Sequence, residues 1–454
     1  MKNYLQFVNH ASVLVSNGNK SILTDPWYSG DVFDGGWSLL YENSYEEILD
    51  ILNKTNFIWL SHEHPDHFSI KFFREFENII KEKKITIIFQ KTKDRRVVSF
   101  LKKLNFNFIE LSDNTKFEID NNFFIKLQKS DFYDSALLVY INEVKIFNLN
   151  DCPLIEKKDI LNFKKKFGTC DFLLTQFSYA AWKGGKNNIK WRQKAAEEKL
   201  NTLINQSLLF EAKYIIPFAS FIYFSDPYNF YLNDSVNTPL KLMSVKNKLN
   251  SKIIFLKPSQ LIDLKNFSVE DDGYNFWQNK FSKINNFFIF KSPSKQIYNF
   301  DLLFAEFQNY HNRLFLKNSL GISKIISKIK FLKIFQPLVI NLKDINKKIK
   351  IDILNKIFIE SNDDADIEMN SRSMYLIFTQ DFGFDTLTIN GCFEELKKDG
   401  FVKMAQSLAL GNLNNLGIFL NFSIIFNLKI VILFLKKIFS LQRKLSYKFI
   451  KSIE

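Results

Sequence analysis

Arginine is scarce in this chain of 454 residues, supplying 7 of its 62 basic side chains. A net charge of +14 would suggest a polyanionic partner, but guanidinium is the group that grips bases and phosphates with two parallel hydrogen bonds. Lysine scattered among Asn, Ile and Phe is instead a bias of composition. No recognisable nucleic-acid module accompanies the charge, so no nucleic-acid partner is expected. Cysteine is scarcer still. Cys152, Cys170 and Cys392 lie far apart with no CxxC, which excludes a disulfide framework and a cysteine-rich zinc or iron-sulfur site. A reducing compartment follows by default, and MKNYLQFVNHAS at the N-terminus lacks an apolar run long enough for a signal peptide. The expected location is the cytoplasm.

Histidine is equally rare, with five in the chain, yet three of the five stand at 62, 64 and 67 in WLSHEHPDHFS. The run before them, Asn56 to Leu60, is apolar and rich in strand formers, so the histidines fall on a strand-end loop. In an extended backbone His62 and His64, two apart, point the same way, and Pro65 then turns the chain to present Asp66 and His67. Imidazole and carboxylate together suit zinc, iron or manganese. One or two such divalent ions are the expected cofactor.

With 46% hydrophobic and 24% charged residues the chain reads as globular, and it is long enough for a layered core plus an accessory domain. Residues 9 to 40 read as a hairpin turning at Asn17-Gly18-Asn19 and a loop opened by Asp25-Pro26-Trp27. Helical spacing appears in YEEILDILNK, in FSIKFFREFENIIKEKK, and in the long WRQKAAEEKLNTLINQSLLFEA. TIIFQ, FIEL, FFIKLQ, ALLVYIN, VKIFNLN, DFLLTQFS and KYIIPFASF are strand candidates, ALLVYIN and VKIFNLN pairing around Asn142-Glu143. Interleaved strands and helices predict an α/β fold with helices on sheet faces.

The pattern His62-x-His64-x-Asp66-His67 after an apolar strand resembles the metal motif of the metallo-β-lactamase fold. With residues 9 to 40, NLNDC (148 to 152) and IPFASFIYFSDP (216 to 227), it is similar to the metallo-β-lactamase portion of the CMP-N-acetylneuraminate hydroxylase family, over about residues 4 to 265. The resemblance implies an αββα sandwich in which His62 and His64 bind one metal and Asp66 and His67 a second. It implies a bridging carboxylate at Asp151, a substrate contact at His10, and a loop-shaping role for Asp25. Two family histidines are missing: Ser130 stands at one position and Asp226, before Pro227, at the other. Asp226 is the expected replacement ligand there, with Asp131 or Asp134 replacing the other. His311 has no partner motif and is expected to be a surface or packing residue.

Three segments are therefore expected: a metal-binding catalytic domain over 1–265, an accessory α+β region over 266–415, and an apolar, basic, amphipathic tail over 416–454. The stretch 350–411 resembles the C-terminal part of sterol-carrier-like domains. The tail has a stripe of Ile438, Leu441, Leu445 and Phe449 among lysines, which suits peripheral contact with the inner membrane. Asn421, Asn427 and Lys429 count against a full span.

A metal on the histidine loop makes hydrolysis the simplest chemistry, with Asp66 orienting a water. The expected function is a metal-dependent hydrolase acting on a small molecule, a phosphorylated or nucleotide-linked sugar or a related ester or amide. The resemblance implies an alternative, a non-heme-iron hydroxylase. That family carries a Rieske module whose Cys-x-His and Cys-x-x-His pairs are absent here, so an oxygenase would need a separate electron-transfer protein. A non-catalytic ligand- or membrane-binding relative is the third reading.

Overall fold

The computed structural model describes residues 3–130, 134–267, 273–290, 296–329, 333–415 and 417–422. Asp131 and, apart from 417–422, the expected tail lie outside the described residues. The chain divides into two compact units: Met1–Ala180 with Ile189–Ser225 and Leu232–Lys291, and Ala181–Asn188 with Asp226–Tyr231 and Ser292–Glu454.

The first unit is a four-layer sandwich. One sheet has the strand order Leu261–Asp263, Tyr4–Asn9, Ser12–Ser16, Ser21–Thr24, Phe57–Leu60, Thr86–Gln90, Phe108–Leu111. The other runs Lys252–Ile253, Tyr214–Phe218, Phe172–Gln176, Val144–Asn150, Ser135–Ile141, Phe123–Lys129, Lys116–Asp120. Alternation along each strand sends one set of side chains between the sheets and the other toward the helices. Phe7 meets Phe218 and Phe57 meets Phe117 between the sheets, with ring centroids 6.2 and 5.6 Å apart. Outside the first sheet, Ile48, Ile51 and Leu52 of helix Tyr45–Lys54 and Phe72 and Phe73 of helix Ile70–Glu75 pack on Ile58, Leu60 and Ile87. Outside the second, Ile160 and Phe163 of helix Lys157–Phe167 and Phe210 of helix Ile189–Phe210 cover Leu138, Phe147 and Leu173. This is the αββα architecture expected.

Local chemistry explains the elements. Ser44 and Glu47 form a reciprocal capping box that starts helix Tyr45–Lys54. In the first hairpin Asn17 Oδ1 accepts from the N–H groups of Asn19 and Lys20 and closes the turn. The helix expected over residues 68–84 forms as two, Ile70–Glu75 and Glu77–Glu82, broken at Phe76, where φ −106° and ψ 19° leave the helical region. The unit also extends past residue 265. Trp277, fully buried, donates from Nε1 to Leu256 O at 2.7 Å and stacks on Phe221 at 4.1 Å, which adds helix Gly273–Ser282 to its core.

The second unit holds a five-stranded sheet ordered Ile357–Glu360, Lys347–Asp352, Leu338–Leu342, Ile367–Met369, Phe393–Glu395. Phe307 of helix Phe300–Lys317 packs on Phe358 and Phe378 at 5.3 and 5.6 Å. His311 on the same helix is buried between Phe307 and Phe315, a packing residue. Among the described residues no helix is long and apolar enough to cross a membrane.

Candidate metal centre

Strand direction assembles the site. Strands Tyr4–Asn9, Ser21–Thr24 and Phe57–Leu60 run the same way, as do Val144–Asn150, Phe172–Gln176 and Tyr214–Phe218. His10, Asp25 and the histidine loop therefore leave one edge of the first sheet, and Asp151, Gln176 and Ala219 lie at the carboxyl ends of strands in the second. Loops at such ends are where α/β proteins gather functional side chains.

The described residues contain two groups of three side chains whose ligating atoms lie within 4.8 Å of one another: His10 with Asp66 and His67, and His62 with His67 and Asp151. His67 is common to both. Its Nε2 lies 3.2 Å from Asp66 Oδ2 and 3.5 Å from Asp151 Oδ1, and His10 Nε2 lies 3.7 Å from Asp66 Oδ2. His62 Nδ1 is engaged by Ser61 Oγ at 2.8 Å, and its Nε2 is 2.9 Å from His64 Nδ1 and 3.6 Å from Asp134 Oδ1. His64, half-buried, thus touches His62 but belongs to neither group of three.

Asp25 sets the orientation of the shared histidine. Its Oδ1 accepts from Ser61 N at 2.8 Å, and its Oδ2 accepts from His67 Nδ1 at 3.2 Å and from Asn150 Nδ2 at 2.5 Å. With the proton held on Nδ1, the lone pair of His67 sits on Nε2 and faces Asp66 and Asp151. A carboxylate behind a ligating imidazole is the usual arrangement that fixes ring and tautomer. Both His10, at φ 24°, and Asp25, at φ 33°, occupy left-handed backbone, a strain of order 1–3 kcal/mol each that concentrates at functional sites.

The buried polar atoms without a hydrogen-bond partner include four in these groups: both ring nitrogens of His10, Nε2 of His67 and Oδ1 of Asp66. Each such atom costs about 1–3 kcal/mol if left so, and all four belong to residues that could hold a cation. The donor set is nitrogen and carboxylate oxygen, which fits zinc, iron or manganese.

The electrostatics agree. Burial opposes ionisation of Asp66, yet the charge of His67 and the neighbouring His10 hold its carboxyl well below the usual range. Burial likewise opposes charge on His67, but Asp66 and Asp151 outweigh it and hold the imidazole well above its ordinary value. Burial, then His67 and His64, push His62 well below. Burial and the Asp151 charge push Asp134 well above. The cluster stabilises positive charge at His67 and excludes a second imidazolium at His62.

Asp226 is the replacement ligand expected from the resemblance. It belongs to the second unit, where its Oδ1 accepts from Tyr228 N at 2.8 Å and its carbonyl accepts from Asn229 N and Phe230 N. That is a turn-capping geometry before Pro227. Ser61, Asn150 and Gln176 are the supporting residues not singled out from sequence; each lies at or just beyond a strand end, a position that was the available signal.

Residues 4–129 match the family model of the Beta-lactamase superfamily domain, and the first unit has the metallo-β-lactamase fold. More particularly, the chain is 22% identical over 280 residues to cytidine monophosphate-N-acetylneuraminic acid hydroxylase of Danio rerio, covering 57% of this chain and 46% of that protein. It is 27% identical over 251 residues to a Mycolicibacterium smegmatis protein whose name carries the Rieske 2Fe-2S label, covering 52% and 47%. The chain thus spans about half the length of these relatives. The solved structure of CmlA, a diiron beta-hydroxylase from Streptomyces venezuelae, is similar with TM-score 0.42 at 14% identity, covering 58% of this chain and 54% of that one.

Proposed function

We propose that this chain is a metal-dependent hydrolase acting on a phosphorylated or nucleotide-linked sugar or a related ester or amide. The observation that supports it most is the convergence of His10, His62, Asp66, His67 and Asp151, in which the ring nitrogens of His10, Nε2 of His67 and Oδ1 of Asp66 are buried without a hydrogen-bond partner. A bound divalent ion supplies Lewis acidity and water acidified to about pKa 7. Asp25 holds His67 in the tautomer that ligates. Asp66 Oδ1, buried and without a hydrogen-bond partner, is the atom that would accept a hydrogen bond from the attacking water and orient it. Elemental analysis of protein purified without chelators, followed by assay on activated phosphodiesters and carboxylic esters, tests this reading. Zinc or manganese at one or two equivalents, with turnover lost in Asp66→Asn, supports it; absence of bound metal refutes it.

A second reading, a non-heme-iron hydroxylase served by a separate electron donor, is favoured by the similarity to CMP-N-acetylneuraminic acid hydroxylase and by an oxygen-rich donor set in which Asp134 joins Asp66 and Asp151 beside the imidazoles. Stoichiometric redox-active iron with no hydrolytic turnover would select it.

A further inference from the structure

Asp151 is held, at the oxygen nearest His67, by a pair of side chains that no motif marks. Gln176, the last residue of strand Phe172–Gln176, donates from Nε2 to Asp151 Oδ1 at 2.6 Å. Its Oε1 accepts from Lys199 Nζ, on helix Ile189–Phe210, at 2.5 Å. The second Nε2 proton points to Ala219 O at 3.4 Å, and Ala219 N donates to His10 O at 2.8 Å.

A glutamine amide could face either way, but an ammonium has donors only, so the end of Gln176 that meets Lys199 must be the oxygen. The NH2 end is thereby aimed at Asp151 and Ala219. Without the ammonium the amide could reverse and set its oxygen against the carboxylate. The helix that carries Lys199 is itself fixed to this sheet by Gln206, which accepts from Thr175 Oγ1 at 2.6 Å and donates to Leu154 O at 2.9 Å.

We infer that Gln176 and Lys199 are positioning residues for the metal centre, Lys199 fixing the amide of Gln176 so that Gln176 aims Asp151 at His67 and braces the Ala219 turn, whose N–H bonds the His10 carbonyl. The inference rests on the reading that this cluster binds metal, and goes beyond it by assigning its support to a lysine on a helix. The test is metal affinity of the metal-free full chain, by chelator competition with Mn2+ and Zn2+. Gln176→Ala and Lys199→Met should each weaken binding by about tenfold or more, the usual effect of losing a residue that orients a ligand. Lys199→Arg, which keeps a donor, should restore most of the affinity, and Lys194→Met on the exposed face of the same helix should leave it unchanged. Thermal melts of the metal-free variants separate loss of orientation from loss of fold, and if Gln176→Ala does not fold the two Lys199 variants decide. Wild-type affinity in Lys199→Met, or an Arg variant as weak as the Met variant, overturns the inference while leaving the metal site standing. A wild-type chain that binds neither metal overturns both.

Discussion

Asp25→Asn is the sharpest perturbation of the centre, because it removes a charge while keeping the shape and a residue type that tolerates left-handed backbone. Asp25 accepts three hydrogen bonds, from Ser61 N, His67 Nδ1 and Asn150 Nδ2. An asparagine has one acceptor end. If its oxygen stays with Ser61, its NH2 faces the donors of Asn150 and His67. If it flips, the Ser61 N–H is the one that faces a donor. Either arrangement leaves at least one buried donor unpaired, at about 1–3 kcal/mol. For a unit of this size each 1 kcal/mol lowers Tm by about 2–4 °C. The larger effect falls on His67. Beside an NH2 group its Nδ1 becomes the acceptor, so the proton moves to Nε2 and the lone pair that faces Asp66 and Asp151 is lost. Metal affinity should fall by about 10–100-fold, read by titration calorimetry or chelator competition, and the metal-free protein should melt several degrees lower. An Asp25→Asn protein with wild-type affinity would show that the carboxylate does not set the His67 tautomer.

Three further outcomes are expected. The double substitution His62→Ala, His64→Ala should abolish metal at one position while leaving circular dichroism unchanged, since the sandwich core is elsewhere; unchanged stoichiometry by elemental analysis contradicts the site. Phe73→Ala, removing a fully buried ring packed by Phe68, Phe72 and Phe106, should cost about 3–5 kcal/mol in denaturant unfolding, and a loss below 1 kcal/mol would contradict the packing described. In chelator-treated protein, stability should fall as pH rises above about 6.5, the unfolded histidine value. The sign follows because His67 titrates higher in the folded state, so its contribution is complete below that pH and is lost as pH climbs through the folded value. Melting temperatures at pH 6.5 and pH 9 measure the fall, His67→Gln should flatten it, and a wild-type Tm that rises instead refutes the assignment.

Much of this was legible in the chain because the informative segments obey local rules. The strand ahead of Ser61, the Asn17-Gly18-Asn19 hairpin and helix Tyr45–Lys54 follow from propensity, turn chemistry and capping. The break at Phe76 did not show, since the apolar spacing runs through it and the contacts that accompany it, Phe72 on Tyr28 and Phe76 on Tyr45, are tertiary. For the site, His62, Asp66 and His67 stand out because ligand types are dense there. Gln176 and Lys199 are invisible, since neither residue type announces a role and their pairing is created by sheet order and helix placement. Asp226 reads as a ligand only by analogy, from its place before Pro227, and its Oδ1 also caps the turn at Tyr228 N.

The distribution of the ligand set along the chain has a consequence for how this protein acquires its fold. The groups that converge come from positions 10, 62–67 and 151, braced from 176 and 219, so every one depends on contacts of long sequence separation. A nascent chain that has reached only the histidine loop holds four potential ligands in six residues but lacks the opposing sheet that completes either group. On the proposed reading full affinity would require the strand ending at Phe218, so cation capture would report completion of the sandwich. Because only the native state binds well, a metal present at 100 times its Kd would add about 2.7 kcal/mol to stability. Starvation for that metal would then be felt as a shorter-lived protein as well as a less active one.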